Sequence, residues 1–246
     1  MNIKFLGAVL TVSFLVLAAP LHAALPGDEH WDYRFSLPGV DNAVFTLLST
    51  NGRIHCGGLS YFDGSTNTQV DIWNGTNWTS LPKLNGGIAV IYDLAWYKNE
   101  LYAAGIFTRA SGMTNIGLAR WDGFGWRNVG GFQGIASKLR VYGDDLYVGG
   151  SFTNAGPVQA NSVARWDGAG WHALGSGVEP YNGGNFTVQA LAMLGSDLYV
   201  GGTFSTAGGA PATNFARWNG SAIRSPGATR MLPSAFQRLI GTGAHT

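Results

Sequence analysis

The sequence predicts an all-β fold, a β-propeller built from four-stranded antiparallel meander blades, four of them, and three observations predict it. A motif recurs four times at a near-constant interval. Tight-turn dipeptides fall at the same two places in each copy. The chain is rich in glycine (37 residues) and aromatic side chains, with only 12% charged residues, the composition of many short strands joined by tight turns. The motif is clearest in Leu-Tyr-Val-Gly-Gly-Ser-Phe-Thr at 146–153, followed by Val-Ala-Arg-Trp-Asp-Gly-Ala-Gly-Trp at 163–171. Its first strand begins at Ile54, Leu101, Leu146 and Leu198, spaced 47, 45 and 52 residues. A tryptophan follows in each copy, Trp73, Trp121, Trp166 and Trp218. A second stands five residues later at Trp78, Trp126 and Trp171, with Ile223 in the fourth copy. A period in this range marks a supersecondary unit that buries its faces only by stacking on its neighbours.

Residues 1–24 read as a secretory signal peptide. Lys4 supplies a basic start, Phe5 to Ala19 an apolar run, Pro20 a break, and Ala23 and Ala24 a small-residue cleavage region. The apolar run is shorter than the roughly 20 residues of a membrane-spanning helix. Trp31-Asp32-Tyr33-Arg34 matches the start of a fourth strand, 47 residues before Trp78, and residues 31–36 are expected to complete the last blade. Within each copy, a first strand (44–48, then near 90–96, 135–141 and 187–193) turns through Asn51-Gly52, Lys98-Asn99, Gly143-Asp144 or Gly195-Ser196 into the motif strand. A third strand ends in Ile-Trp or Arg-Trp. It turns at Asn74-Gly75, Asp122-Gly123, Asp167-Gly168 or Asn219-Gly220 into a fourth that starts at the second tryptophan. Asn, Asp and Gly supply the backbone angles that hairpins need. The repeat domain spans 25–220. Residues 221–246 are expected to be a non-repeat C-terminal tail, the last copy losing its fourth strand after Gly220. The alternative to a closed four-bladed ring is an incomplete larger propeller.

The 15 basic and 14 acidic residues leave almost no net charge, which argues against nucleic acid or an anionic membrane surface as partner. Cys56, the single cysteine, occupies the place of Val148 and Val200 and is expected to be a buried strand residue. His30, His55, His172 and His245 show no metal-ligand spacing, and no nucleophile elbow, zinc-protease motif or phosphate loop is present. No cofactor, metal or catalytic residue is expected.

The run at 146–153 with the Ala-Arg-Trp-Asp-Gly that follows resembles the repeats of secreted delta-60-like and kelch-like propeller proteins, related to the ectodomain repeats of cortical polarity markers. The resemblance covers about residues 42–220 and implies an exported protein acting in surface attachment or as a scaffold. The first copy departs from it: Ile-His-Cys-Gly-Gly-Leu-Ser lacks the aromatic, and Asp-Ile-Trp lacks the arginine.

Candidate site residues follow from the geometry of a meander. The tryptophan pairs are expected to pack across their turns, and Arg120, Arg165 and Arg217 to make a repeated contact within each blade. Eight residues before the motif strand stand Thr46, Asp93, Lys138 and Ala190. These are equivalent positions on the innermost strands, so Asp93 and Lys138 are channel candidates expected to lie side by side. The longer connections share one face: 108–115, 153–161, 205–213 and the insertion at 177–185 that produces the 52-residue spacing. Long loops on a rigid scaffold carry binding, which nominates Glu179, Tyr181 and Asn182. The function expected is that of an exported, non-enzymatic binding or scaffold module. Its partner is expected to be a protein or glycan at the cell surface, outside the cell or in the periplasm, with no transmembrane segment in the mature chain. A lectin-like carbohydrate binder is the alternative, and a glycan-processing or oxidising enzyme a more distant one.

Overall fold

In a computed structural model the described residues are 43–60, 70–82, 84, 89–110, 113–181 and 187–226, all within the compact unit Val40–Thr246. The expected signal peptide, the strand at 31–36 and residues 227–246 lie outside them. The described residues are all-β, with no α-helix, and no helix among them is long and apolar enough to cross a membrane.

The strands group into four antiparallel meanders. The first comprises β1 (Val44–Thr50), β2 (Arg53–Ser60), β3 (Val70–Trp73) and β4 (Trp78–Ser80). The second comprises β5 (Ala89–Tyr97), β6 (Glu100–Ala110), β7 (Met113–Trp121) and β8 (Trp126–Asn128). It is joined to the first in one eight-stranded sheet, where Leu59 and Ser60 of β2 pair with Val90 and Ala89 of β5. In the third, β9 (Ile135–Tyr142), β10 (Asp145–Ser151), β13 (Val163–Trp166) and β14 (Trp171–Ala173) pair in that order, with the hairpin β11 (Asn154–Ala155) and β12 (Val158–Gln159) between β10 and β13. In the fourth, β16 (Val188–Leu194), β17 (Asp197–Gly202), β20 (Phe215–Trp218) and β21 (Ile223–Arg224) do the same. Alongside that sheet runs a three-stranded one of β15 (Val178–Pro180), β18 (Phe204–Ala207) and β19 (Ala210–Pro211). The repeat thus runs past Gly220. Ile223 pairs with Trp218 and Arg224 with Arg217, so the fourth copy has its own fourth strand, carried by a buried isoleucine where other copies have tryptophan.

Local chemistry explains why the copies fold alike. Asn51-Gly52 and Lys98-Asn99 place both turn residues at positive φ, whereas Gly143 and Gly195 do so at the first turn position alone. The turns at Asn74, Asp122, Asp167 and Asn219 are longer than two residues, because each tryptophan pairs across four intervening residues. There the Asn or Asp side chain caps its own turn. Asp167 Oδ1 accepts from the N–H groups of Ala169 and Gly170 at 2.8 and 2.7 Å, and Asn74, Asp122 and Asn219 repeat the pattern. The second glycine of the motif is set by close approach. At Gly58, Gly105, Gly150 and Gly202 an added Cβ would lie 1.9–2.0 Å from a carbonyl oxygen at the start of the neighbouring first strand. No side chain fits there.

Between successive copies, the trailing face of one meander packs on the leading face of the next. Three apolar cores fill the spaces between successive copies. Val70 and Leu48 of the first meet Ile91, Leu94, Leu101 and Trp126 of the second. Tyr97, Tyr102 and Leu118 of the second meet Leu139, Leu146, Val148 and Trp171 of the third. Tyr147 and Val163 of the third meet Val188, Leu191, Leu198 and Ile223 of the fourth. The glycine-poor leading faces and the small residues of the trailing faces interlock: a Cβ on Gly57 would strike Ile91, and one on Gly149 would strike Val188.

Candidate functional site

The pairing register sets Thr46, Asp93, Lys138 and Ala190 opposite Gly57, Ala104, Gly149 and Gly201, so the four hold one equivalent rung on the four first strands. Asp93 joins three meanders there. One carboxylate oxygen accepts from the Leu94 N–H at 3.0 Å and the Thr46 hydroxyl at 3.3 Å, and the other from the Leu139 N–H at 2.9 Å. The expected side-by-side arrangement of Asp93 with Lys138 does not produce an ion pair: Lys138 pairs with no carboxylate among the described residues. The lacing continues to the fourth meander. The Ser137 hydroxyl donates to Gly149 O at 3.1 Å and, by a short bond, to Val188 O, and the Arg140 guanidinium donates to Leu191 O at 3.1 and 3.2 Å.

One residue toward the start of these strands lies a cavity of about 370 Å³, lined by Phe45, Tyr92, Ser137, Lys138 and Gln189. Four of the five hold one equivalent position, one from each meander, immediately before the Thr46–Asp93–Lys138–Ala190 rung. The starts of the first strands lie at the end of each meander that carries its longer connections. The Phe45 and Tyr92 rings are 6.4 Å apart and inclined at 42°, Phe45 is half exposed, and burial pushes the Tyr92 phenol above its ordinary pKa. Gln189 donates from its amide to the Thr203 hydroxyl at 3.1 Å. The cavity therefore offers one cation that pairs with no carboxylate among the described residues, a two-ring apolar wall, and amide and hydroxyl groups.

The residues nominated on the insertion are arranged differently. The start of that insertion is strand β15, paired with β18, rather than a loop, and the Glu179 carboxylate accepts from the Thr206 hydroxyl at 3.1 Å. Tyr181 is 62% exposed, Asn182 lies outside the described residues, and neither Glu179 nor Tyr181 lines the cavity. The connections at 153–161 and 205–213 are short hairpins in themselves.

The other repeated residues hold the scaffold. Trp73 with Trp78, Trp121 with Trp126, and Trp166 with Trp171 pack across their turns at 5.3, 5.6 and 5.1 Å. The indoles of Trp126 and Trp171 also donate to Pro82 O and Val129 O, carbonyls just beyond the last strand of the preceding meander, at 2.7 and 3.2 Å. Arg120, Arg165 and Arg217 pair with Glu100, Asp145 and Asp197 on the adjacent strand, the last two at 2.8 and 3.3 Å. Among the described residues no three His, Cys, Asp or Glu side chains gather into a metal-ligating group. Phe45, Tyr92 and Gln189 were not singled out by sequence; their signal was adjacency to the rung of Asp93 and Lys138.

No family description matches the chain, and no curated protein does. Among solved structures it is similar to a computationally designed protein, Ika8, at 18% identity and a TM-score of 0.45, over 73% of this chain and 46% of that one. The chain therefore spans less than half the length of that protein.

Proposed function

We propose that the four meanders are blades of a β-propeller and that the protein is an exported binding module. Its ligand is taken at the loop end of the channel between the first strands. The observation that carries this reading is the cavity lined by one equivalent residue from each meander together with Lys138. Its volume of about 370 Å³ falls within the range of small-ligand sites. The lining favours the lectin-like form of the reading. A sugar ring lays its C–H face on the Phe45 and Tyr92 rings, Gln189 addresses hydroxyls, and the Lys138 ammonium takes a uronate or sulfate. The rung carries a single carboxylate, Asp93, committed to Thr46 and Leu139, where most glycoside hydrolases use a pair, so the reading is one of binding.

The test is a glycan array carrying neutral, uronate-containing and sulfated oligosaccharides, probed with the wild-type protein and with Lys138→Met and Tyr92→Ala. Acidic glycans are expected to bind, with at least a tenfold loss in each variant. An array without binding, or binding that both variants retain, overturns the reading. Binding lost on Tyr181→Ala instead moves the site to the 177–185 insertion.

A further inference from the structure

The three cores between successive meanders repeat one contact, and among the described residues the side chains of both halves of a fourth such contact are exposed. On the leading side, Val44 and Leu47 of β1 hold the positions of Ile91 and Leu94, of Ala136 and Leu139, and of Val188 and Leu191. Those six are buried, whereas Val44 is 39% and Leu47 66% exposed. On the trailing side, Phe215 of β20 holds the position of Val70, Leu118 and Val163, all at most 1% exposed, yet is itself 45% exposed. Gly201 belongs to the same surface. An added Cβ would meet only Ala190 of its own meander, where Gly57 and Gly149 meet the next copy's Ile91 and Val188. A polar group makes the same statement independently of the apolar ones. Trp126 and Trp171 donate their indole N–H to a carbonyl just beyond the last strand of the preceding meander, but the buried Nε1 of Trp78 has no acceptor. Among the described residues, Val44 and Leu47 thus lack the apolar cover, and the Trp78 indole the acceptor, that a preceding meander supplies to the other copies. The fourth meander, with Phe215 half exposed and Gly201 meeting only its own Ala190, carries the matching surface.

We propose that the trailing face of the fourth meander docks on the leading face of the first meander in a second copy of this chain. Two copies then close one ring of eight meanders about a two-fold axis. The proposal rests on the propeller reading above. A second copy fits because the contact continues an interface the chain already makes three times, with the same side chains at the same register positions. The contact is head-to-tail and is made twice, so it closes without leaving a free edge.

Light scattering on the purified, size-separated protein reads the mass directly, and the expected result is a dimer. Leu47→Glu and Phe215→Glu are each expected to give monomers with unchanged far-ultraviolet circular dichroism, since both residues are exposed within one chain. An equimolar mixture of the two variants is expected to dimerise again, because one of its two contacts then has the native residue on both sides. Gly201→Ala, accommodated inside the chain, is expected to weaken the dimer at least tenfold. A monomeric wild-type protein overturns the proposal. A dimer that survives either charged substitution, or a mixture that stays monomeric, overturns it too. A monomer that still binds acidic glycans removes the ring and leaves the binding module standing.

Discussion

The Asp93 carboxylate accepts the backbone N–H of Leu139 at 2.9 Å, tying the first strand of one meander to the first strand of the next across 46 residues of chain. Its partner oxygen holds Leu94 and Thr46. Replacing Asp93 with Ala leaves the N–H of a buried leucine without an acceptor. That costs about 1–3 kcal/mol. Urea denaturation of Asp93→Ala is expected to show a lowered midpoint with an unchanged slope, and Asp93→Asn, which keeps an acceptor oxygen, a smaller shift. A midpoint equal to wild type for both removes Asp93 from the scaffold.

Trp171 contributes a ring to the core between the second and third meanders and an N–H to Val129 O at 3.2 Å. Trp171→Phe keeps most of the ring and abandons that carbonyl, so a loss of about 1–2 kcal/mol is expected. Trp171→Ala removes the ring too and is expected to cost about 3–5 kcal/mol. Equal losses in thermal or chemical unfolding would show that the indole bond contributes nothing.

Gly149 and Gly201 hold the same place in the motif and have opposite surroundings. A Cβ on Gly149 would sit 2.4 Å from Val188 Cγ1; one on Gly201 has only the Ala190 Cβ, at 3.5 Å. Gly149→Ala is therefore expected to lose about 1–3 kcal/mol by overpacking. Gly201→Ala, unfolded under conditions where the chain is monomeric, is expected to stay within about 0.5 kcal/mol of wild type. The comparison is read from paired urea curves.

Cys56 is buried, and burial first, with Asp71 second, pushes its thiol pKa up to about 11. The thiolate is the reactive form. Iodoacetamide at pH 8 is expected to leave the folded protein unlabelled over hours and to label it within minutes in urea, followed by intact mass. Rapid labelling of the folded protein would place the thiol at the surface.

Burial also holds the His55 imidazole below its ordinary value of 6.5. The unfolded chain then takes up a proton before the folded one does. The neutral folded form keeps its full stability above pH 6.5 and loses it as the pH falls from there toward the folded value. Thermal unfolding of wild type between pH 7.5 and 5.5 is expected to show a falling midpoint, and His55→Gln a flatter one. Parallel curves would assign the acid loss to other groups.

Much of the fold was legible because it rests on residues that repeat. The paired tryptophans, the turn dipeptides and the double glycine each have a local cause, so their spacing gave the four meanders and the equivalence of Thr46, Asp93, Lys138 and Ala190. The odd first copy was legible in part. Arg53 stands where the others have Glu100, Asp145 or Asp197, and Ile72 stands where they have arginine, so both ends of the cross-strand pair are missing together. The fourth strand of the last copy was missed because Ile223 buries its side chain without the tryptophan that marks the others. The partner of Asp93 was missed for another reason: a backbone N–H carries no signature in sequence. The pairing of the 177–185 insertion with β18 was hidden likewise, since β15 is brief and its ladder runs to a strand far along the chain.

The capped turns have a kinetic consequence. Every meander closes its hairpins with its own Asn or Asp side chain and its own positive-φ residues, so each copy carries the instructions for its strand pairing within a stretch of about fifty residues. The bonds that lace copy to copy, from Thr46 to Asp93, from Asp93 to Leu139 and from Ser137 to Val188, reach only to the adjacent unit. Long-range closure entropy is thus divided into short instalments, and the chain assembles as a relay in which each finished unit is the template for the next.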